Sequence, residues 1–350
     1  MPALVTNDTI PRAPKPIPSK TKRATRPSNS IPQPLIDEAA KTVREPFNAE
    51  KHLNYQPPKK IYTMAEIGLE GQGIAPNAVC EPFQLFTPEA IDQMRAEIFS
   101  EPVLRDCQYT SGFIKNMIRG FGPARAPFIC AAWKSPEVLA KVSAIAGTEL
   151  IPSIDFEIGN VNVSINDAGE SSVEHIKSTD QEKEASTSAV AWHYDSFPFV
   201  VVTMLSNCEG MVGGETALRL PNGERKVVRG PVQGTAVVMQ GRYIEHQALK
   251  AFGGRERLAM VTCFRAKDPL VKDETVLTGV RGISDLSRLY HQYTEYRLEI
   301  LEERIRHFQK MERGREIAKR PYDIAAARMW LMEQKEFLED MLEEIYEIED

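Results

Sequence analysis

Apolar and polar positions change rhythm twice along this chain. Between Leu150 and Arg265 they come in short β-rich stretches, at 150–165, 189–194, 198–206, 215–220, 225–229, 234–240, 242–247 and 257–265, set apart by Gly, Asn and Pro. No helical period runs between them, so the pattern predicts seven or eight strands in an antiparallel sandwich or jelly roll. Ahead of this block, Thr87-Pro88-Glu89 and Ser135-Pro136-Glu137 each offer a capping hydroxyl, proline at the first helical position and an acid in the first turn. Two helices are expected there, the second closed by Gly147. After Gly282 the spacing turns helical: Leu286, Leu289, Tyr293, Tyr296 and Ile300 fall 3, 4, 3 and 4 apart, and Leu338, Met341, Ile345 and Ile348 follow suit. These predict two amphipathic helices, broken near Pro321, packing on the β core or on a second subunit in a homodimer. The polar insert at 166–188 has no apolar period and is expected to be a loop, either a lid that closes over a site or a tolerated surface insertion.

Composition adds boundaries. Eleven of the 24 prolines lie in residues 1–60, and the stretch before Pro34 carries six Lys or Arg against one acid. This predicts a disordered, basic, Pro-rich tail over 1–60, a folded unit over 61–283 and a C-terminal helical extension over 284–350. The early prolines break both a signal-peptide core and an amphipathic presequence. The longest apolar run, Phe199 to Leu205, is far short of the roughly 18 residues a membrane span needs. Five cysteines, widely spaced and without a CxxC, read as reduced thiols, which points to the cytoplasm. A net charge of -6 argues against nucleic acid as the main partner.

The chemistry concentrates in His193-Tyr194-Asp195, His246 and Arg257. Side chains two apart on an extended segment point the same way, so His193 and Asp195 can grip one ion, with His246 as a third ligand from another strand. Two imidazoles and one carboxylate on one face of a metal leave other positions open, the arrangement of non-haem Fe(II) oxygenases. Trp192, Phe197, Phe199 and Tyr243 flank these residues as pocket or core aromatics, and Arg219 and Arg242 as substrate-binding or ion-paired charges. His175 lies in the polar insert and His52, His291 and His307 outside the β block, so none is expected to be a ligand.

In this order and spacing the chain resembles the Fe(II) and 2-oxoglutarate-dependent dioxygenase superfamily, whose double-stranded β-helix carries HxD, a distal His and then a basic residue. Here His246 follows His193 by 53 residues and Arg257 follows His246 by 11, and the approach PFQLFTPEAIDQMRAEIFS at 82–100 looks like the superfamily's helical entry. The resemblance implies an α+β protein with a jelly-roll core, N-terminal helices and a C-terminal helical extension. Fe(II) would sit on His193, Asp195 and His246, with 2-oxoglutarate and O2 as cosubstrates and Arg257 on the distal carboxylate of 2-oxoglutarate. Arg255 competes with Arg257 for that role. Relatives place Ser or Thr two residues after the Arg; Ala259 stands there in this chain, so Thr203 or Tyr243 is expected to complete the carboxylate site. A carboxylate at Asp195 argues against halogenation. The implied reaction is hydroxylation, desaturation or ring closure of a small molecule, and the run from Trp192 to Thr262 is similar to fungal oxygenases of specialised metabolism. Two rivals stand beside it: a jelly-roll metallo-oxidase that does not use 2-oxoglutarate, and a non-catalytic jelly-roll binding module.

Overall fold

The computed structural model describes residues 13–14, 31–110, 116–165, 188–228, 232–252 and 256–347. In chain order the strands are β1 (Ile61–Thr63), β2 (Asn77–Cys80), β3 (Phe83–Gln84), β4 (Gln108–Tyr109), β5 (Met117–Ile118), β6 (Leu150–Pro152), β7 (Asn160–Ile165), β8 (Ser188–His193), β9 (Phe199–Met204), β10 (Val212–Gly213), β11 (Thr216–Arg219), β12 (Arg225–Val228), β13 (Thr235–Met239), β14 (His246–Leu249), β15 (Ala251–Phe252) and β16 (Glu256–Ala266). A large antiparallel sheet runs β1-β2-β13-β9-β16-β7-β5-β4, with β3 on β13 and β6 on β16; a smaller one runs β12-β11-β14-β8. The chain passes repeatedly between the two, from β7 in the large sheet to β8 in the small, back to β9, and so on to β16. Helices accompany them, so the protein is a mixed helix and antiparallel-sheet fold.

Strand alternation decides what each face holds. On β16, Leu258, Met260 and Phe264 join an apolar cluster with the helical layer, while Val261 and Cys263 join a second cluster that reaches Leu218 and Val228 of the small sheet. The other face of the large sheet therefore looks toward the small sheet. Trp133 anchors the helical side: fully buried, it meets Phe86 and Phe264 edge-on and donates from Nε1 to the Met260 sulfur.

Both helix starts predicted from the sequence form. Thr87 caps Pro88–Ile98 by accepting from the Ala90 amide, Ser135 caps Pro136–Ala146 by accepting from Val138, and Gly147 closes the latter at φ 77. A helix that the sequence did not announce, Pro127–Lys134, lies between them. Its own N-cap residue, Ala126, makes no side-chain cap; the Glu97 carboxylate instead accepts from the amides of Phe128 (2.8 Å) and Ile129 (3.0 Å).

The expected tail over 1–60 is corrected by the structure for 31–60; residues 1–12 and 15–30 lie outside the described residues. Helix Gln33–Ala39 buries Leu35 and Ala39 against the helical core together with Ile31. Gln93 fastens the next stretch, donating to the Val43 carbonyl and accepting from the Glu45 amide, and Arg44 donates to Ala96. Ile36, Phe47, Leu53 and Tyr55 pack partly buried against the same core, and polar contacts satisfy the backbone around them. Ala13 and Pro14 also dock, through Ala13 on Glu274 and Arg242 on the Pro14 carbonyl. The predicted strand at 242–247 is likewise displaced: Gly241 to Ile244 form a turn, and β14 begins at His246.

At the C-terminus, helix Leu286–Ile317 buries Leu289, Tyr293, Tyr296 and Ile300 as the spacing predicted. In helix Ile324–Glu344 the buried set is Ala327, Gln334, Phe337 and Met341; of the expected stripe Met341 is buried, Leu338 and Ile345 are exposed, and Ile348 lies outside the described residues. Arg297 and Arg304 hold their guanidinium groups over the Phe337 ring and turn that neighbouring stripe inward. Among the described residues no helix is long and apolar enough to cross a membrane.

Candidate metal centre

β14 and β8 pair so that His246 lies directly opposite His193, and Asp195 follows two residues beyond, its amide donating to the Gly241 carbonyl at 2.9 Å. One ligand atom from each of His193, Asp195 and His246 falls within 4.8 Å of the others. The Nε2 atoms of His193 and His246 each stand 3.5 Å from an oxygen of the Asp195 carboxylate, and the two rings are 4.3 Å apart.

Protons decide what this cluster can hold. His193 Nδ1 is 2.8 Å from the Ala191 carbonyl and His246 Nδ1 is 2.9 Å from that of Ile244. A carbonyl only accepts, so each Nδ1 donates, and in the neutral ring each Nε2 presents a lone pair. Those lone pairs and the carboxylate converge on one point. Burial takes His246 down to about 4, against partial compensation by the Asp195 charge, so it is neutral near pH 7. Burial pushes His193 the same way, but the hydrogen bond and charge of Asp195 outweigh it and raise this ring. The Asp195 carboxyl is in turn lowered overall, since His246, His193 and Arg242 overcome the cost of burial. Its Oδ2 atom is buried without a hydrogen-bond donor. Gly241 makes room for it: a Cβ there would stand 1.7 Å from that oxygen. Two imidazole lone pairs, an unpartnered carboxylate oxygen and a glycine cradle form a donor set that fits a divalent metal ion.

Arg257 lies on the same inter-sheet space. It lines a cavity with Val202, Met204, Thr235 and Val237 of the large sheet and Gly214, Glu215, Thr216 and Val228 from the small-sheet side. Its Nη2 donates to the Gly214 carbonyl at 3.2 Å, while its Nε is buried without a partner. Thr216 is two positions along β11 from Leu218, the residue opposite His246, so cavity and triad are separated by roughly 7 Å along the strand. An unsatisfied buried guanidinium N–H next to a hydroxyl suits a carboxylate, with Glu215 the one acid among the lining residues.

Other sequence candidates fall elsewhere. Thr203 opposes Ala236 and Met260, both in the helix-facing cluster, so it lies on the opposite strand face from Val202 and Met204 and away from Arg257. Tyr243 is buried with the second cluster, next to Arg242, and does not line the Arg257 cavity. Arg255 and the insert at 166–187 lie outside the described residues. Phe199 faces the helical core and Phe197 the second cluster. Trp192 is overlaid by Arg219 at 4.3 Å, and Arg219 is paired with Glu245, so that arginine is committed away from the triad. Arg242 is buried on the carbonyls of Glu274 and Pro14. His52 is buried between Glu45 and the Asn48 amide, as a structural residue.

Sequence reasoning missed three features. Thr216 supplies a hydroxyl on the Arg257 cavity, legible in principle from its parity with Leu218. Gly241 stands in the sequence only as a turn residue ahead of His246, with nothing to mark it as the space for Asp195. A buried cluster in which Glu157 accepts from Arg119, Asn160 and Cys263, close enough to Asp195 to feel its charge, gave no signal because its members are scattered from 119 to 263.

No protein-family model matches the chain, and no curated protein matches it. Several solved structures are similar to it, among them one of the 2OG-Fe(II) oxygenase family. An oxidoreductase of that family from Burkholderia pseudomallei is 16% identical over 43% of this chain and 65% of its own, with a TM-score of 0.30. The chain thus spans just under two thirds of that protein. AviO1 from Streptomyces viridochromogenes Tue57 is 17% identical, over 56% of this chain and 91% of its own, at 0.37. The epimerase SnoN, in complex with Fe3+, alpha ketoglutarate and nogalamycin RO, is 14% identical, over 56% and 80%, at 0.38. All three superpose loosely, so residue roles in this chain rest on its own geometry.

Proposed function

We propose that this protein is a non-haem Fe(II)/2-oxoglutarate-dependent oxygenase with a double-stranded β-helix core. It oxidises a C–H bond of a small molecule, by hydroxylation, desaturation or ring closure, and releases succinate. The observation that carries this reading is the convergence of His193, Asp195 and His246 with both Nε2 lone pairs turned inward and Gly241 leaving space for Asp195. The eight strands β7, β8, β9, β11, β12, β13, β14 and β16, divided between the two sheets in orders β7-β16-β9-β13 and β8-β14-β11-β12, support the β-helix core.

His193, Asp195 and His246 would hold Fe(II), and the bound metal supplies oxygen activation with 2-oxoglutarate as electron donor. Arg257 binds and orients the distal carboxylate of 2-oxoglutarate through its buried N–H groups, and Thr216 adds a hydroxyl in place of the expected Thr203. Val202, Met204, Val228 and Val237 keep water from that pair. Five cysteines present as thiols suit a reducing, cytoplasmic setting, and the fungal-oxygenase likeness of residues 192–262 supports a biosynthetic role. One observation favours a second reading, an oxidase that does not use 2-oxoglutarate: Glu215 lines the Arg257 cavity and can serve as its counter-charge.

Anaerobic titration of the protein with Fe(II) and then 2-oxoglutarate tests the proposal. A visible charge-transfer band that saturates at one equivalent of each, followed by succinate on admitting air, is the expected result. Iron binding without band or succinate would favour the oxidase, and failure to bind iron would reject both.

A further inference from the structure

Most of the large apolar side chains that are exposed among the described residues lie between Leu298 and Tyr346, on the C-terminal helical hairpin. On helix Ile324–Glu344, Ile324 (67% exposed), Leu331 (58%) and Leu338 (41%) recur every seven residues, and Leu342 (76%) falls on the same line. At about 100° per residue these four stay within about 40° of one another. Ala327, Gln334 and Met341, also seven apart, are the buried stripe beside them. The helix thus carries one stripe matched to its own chain and a second in solvent. Helix Leu286–Ile317 has the counterpart, Leu298 and Ile305, likewise seven apart and exposed, beyond its buried set.

The two exposed stripes share one face of the hairpin. Arg297 donates to the Phe337 carbonyl and Phe308 stacks on Trp330, so the helices run antiparallel with Leu298 level with Leu338 and Ile305 level with Leu331. On the long helix, Leu298 and Ile305 sit roughly 90° of rotation past the residues that touch its neighbour, Arg297, Arg304 and Phe308; on the other, Leu331 and Leu338 sit roughly 100° past Phe337 and Trp330. Rotation runs in opposite senses for antiparallel helices viewed from one end, so the two like offsets bring both stripes to the same side. Its outer edges carry acids on one helix and bases on the other: Glu295 and Glu302 border the stripe of the long helix, Arg328 and Lys335 that of the C-terminal helix, with Glu302 also pairing with Arg306 and Lys335 with Glu339 along their own helices at exposed positions.

We propose that this face binds a second copy of the chain, forming a four-helix bundle in which each long helix lies on the partner's C-terminal helix. A two-fold axis parallel to the helices sets the acidic edge of each copy against the basic edge of the other, with Glu302 level with Lys335 across the interface. Long helix on long helix would instead set acid against acid. A hairpin about 30 Å long and two helices wide offers a footprint approaching the roughly 800 Å² per partner of a standard interface.

Sedimentation of the full chain tests this. The wild type should run at twice the chain mass, and Leu331→Glu with Leu338→Glu should run as a monomer. Glu302→Lys and Lys335→Glu should each weaken dimerisation about tenfold, since each turns two rim attractions into repulsions. Mixing those two variants should restore wild-type affinity, because both cross-copy pairs are then opposite in charge. The charge variants are exposed and carry the test if the apolar pair fails to fold. A wild type that sediments as a monomer at every concentration would overturn the interface, and a mixture no tighter than its components would overturn the arrangement.

Discussion

Replacing Gly241 by Ala tests the site through a residue that is not itself a ligand. The new Cβ would lie 1.7 Å from Asp195 Oδ2, 2.7 Å from its Cγ and 3.1 Å from its Cβ. The backbone cannot retreat easily, because the Gly241 carbonyl accepts from the Asp195 amide at 2.9 Å. The carboxylate must therefore swing by about 1.5 Å or more to regain van der Waals distance. It has somewhere to go, since the Asp195 side chain keeps 20% of its surface exposed, so the fold should lose only about 1 kcal/mol. Metal affinity should fall by about 10–100-fold, the usual effect of losing a group that positions a ligand. Anaerobic calorimetric titration with Fe(II), alongside a thermal melt, separates the two effects. Wild-type iron affinity in a folded Gly241→Ala protein would refute the orientation of Asp195 and with it the proposed centre.

Changing His193, Asp195 or His246 singly to Ala should abolish turnover and greatly weaken Fe(II) retention with little loss of fold, read by iron analysis of the purified protein against its melting curve. Arg257→Ala should raise the 2-oxoglutarate concentration needed for half-saturation of the charge-transfer band about a hundredfold, as expected on removing one partner of a buried pair. Thr216→Val should raise the same requirement severalfold while Thr203→Val leaves it unchanged; the reverse order would return Thr203 to the carboxylate site. Glu97→Ala should destabilise the fold by about 1–3 kcal/mol by orphaning the amides of Phe128 and Ile129, measured by chemical denaturation.

The strands were legible because β9 and β16 are long apolar runs bounded by turn residues, and the triad because HxD on an extended segment forces two side chains to one side. What escaped notice shares one cause, contacts between residues far apart in the chain. Helix Pro127–Lys134 has no cap of its own and takes one from Glu97, 31 residues earlier. The stretch 31–60 reads as a tail because its few apolar residues pack on a core built from distant segments, and Gln93 and Ala96, outside it, fasten its backbone and Arg44. Thr203 was misplaced by a single step of parity: the residues on either side of it, Val202 and Met204, face the Arg257 cavity. One residue decides the face of a strand, and no composition reveals which.

The two histidines are aimed by main-chain carbonyls two residues upstream, Ala191 within β8 and Ile244 in the turn that leads into β14. Main-chain oxygens are present whatever the side chain, so no ordinary point substitution at 191 or 244 deletes them. Two legs of the tripod are in this sense insensitive to mutation at those positions, their aim inherited from the main chain. The third leg has no such guarantee: Asp195 depends on an empty space at position 241 that any amino-acid substitution would fill. Genetic variation in this site is thus expected to spare the imidazoles' orientation and to strike at the carboxylate arm.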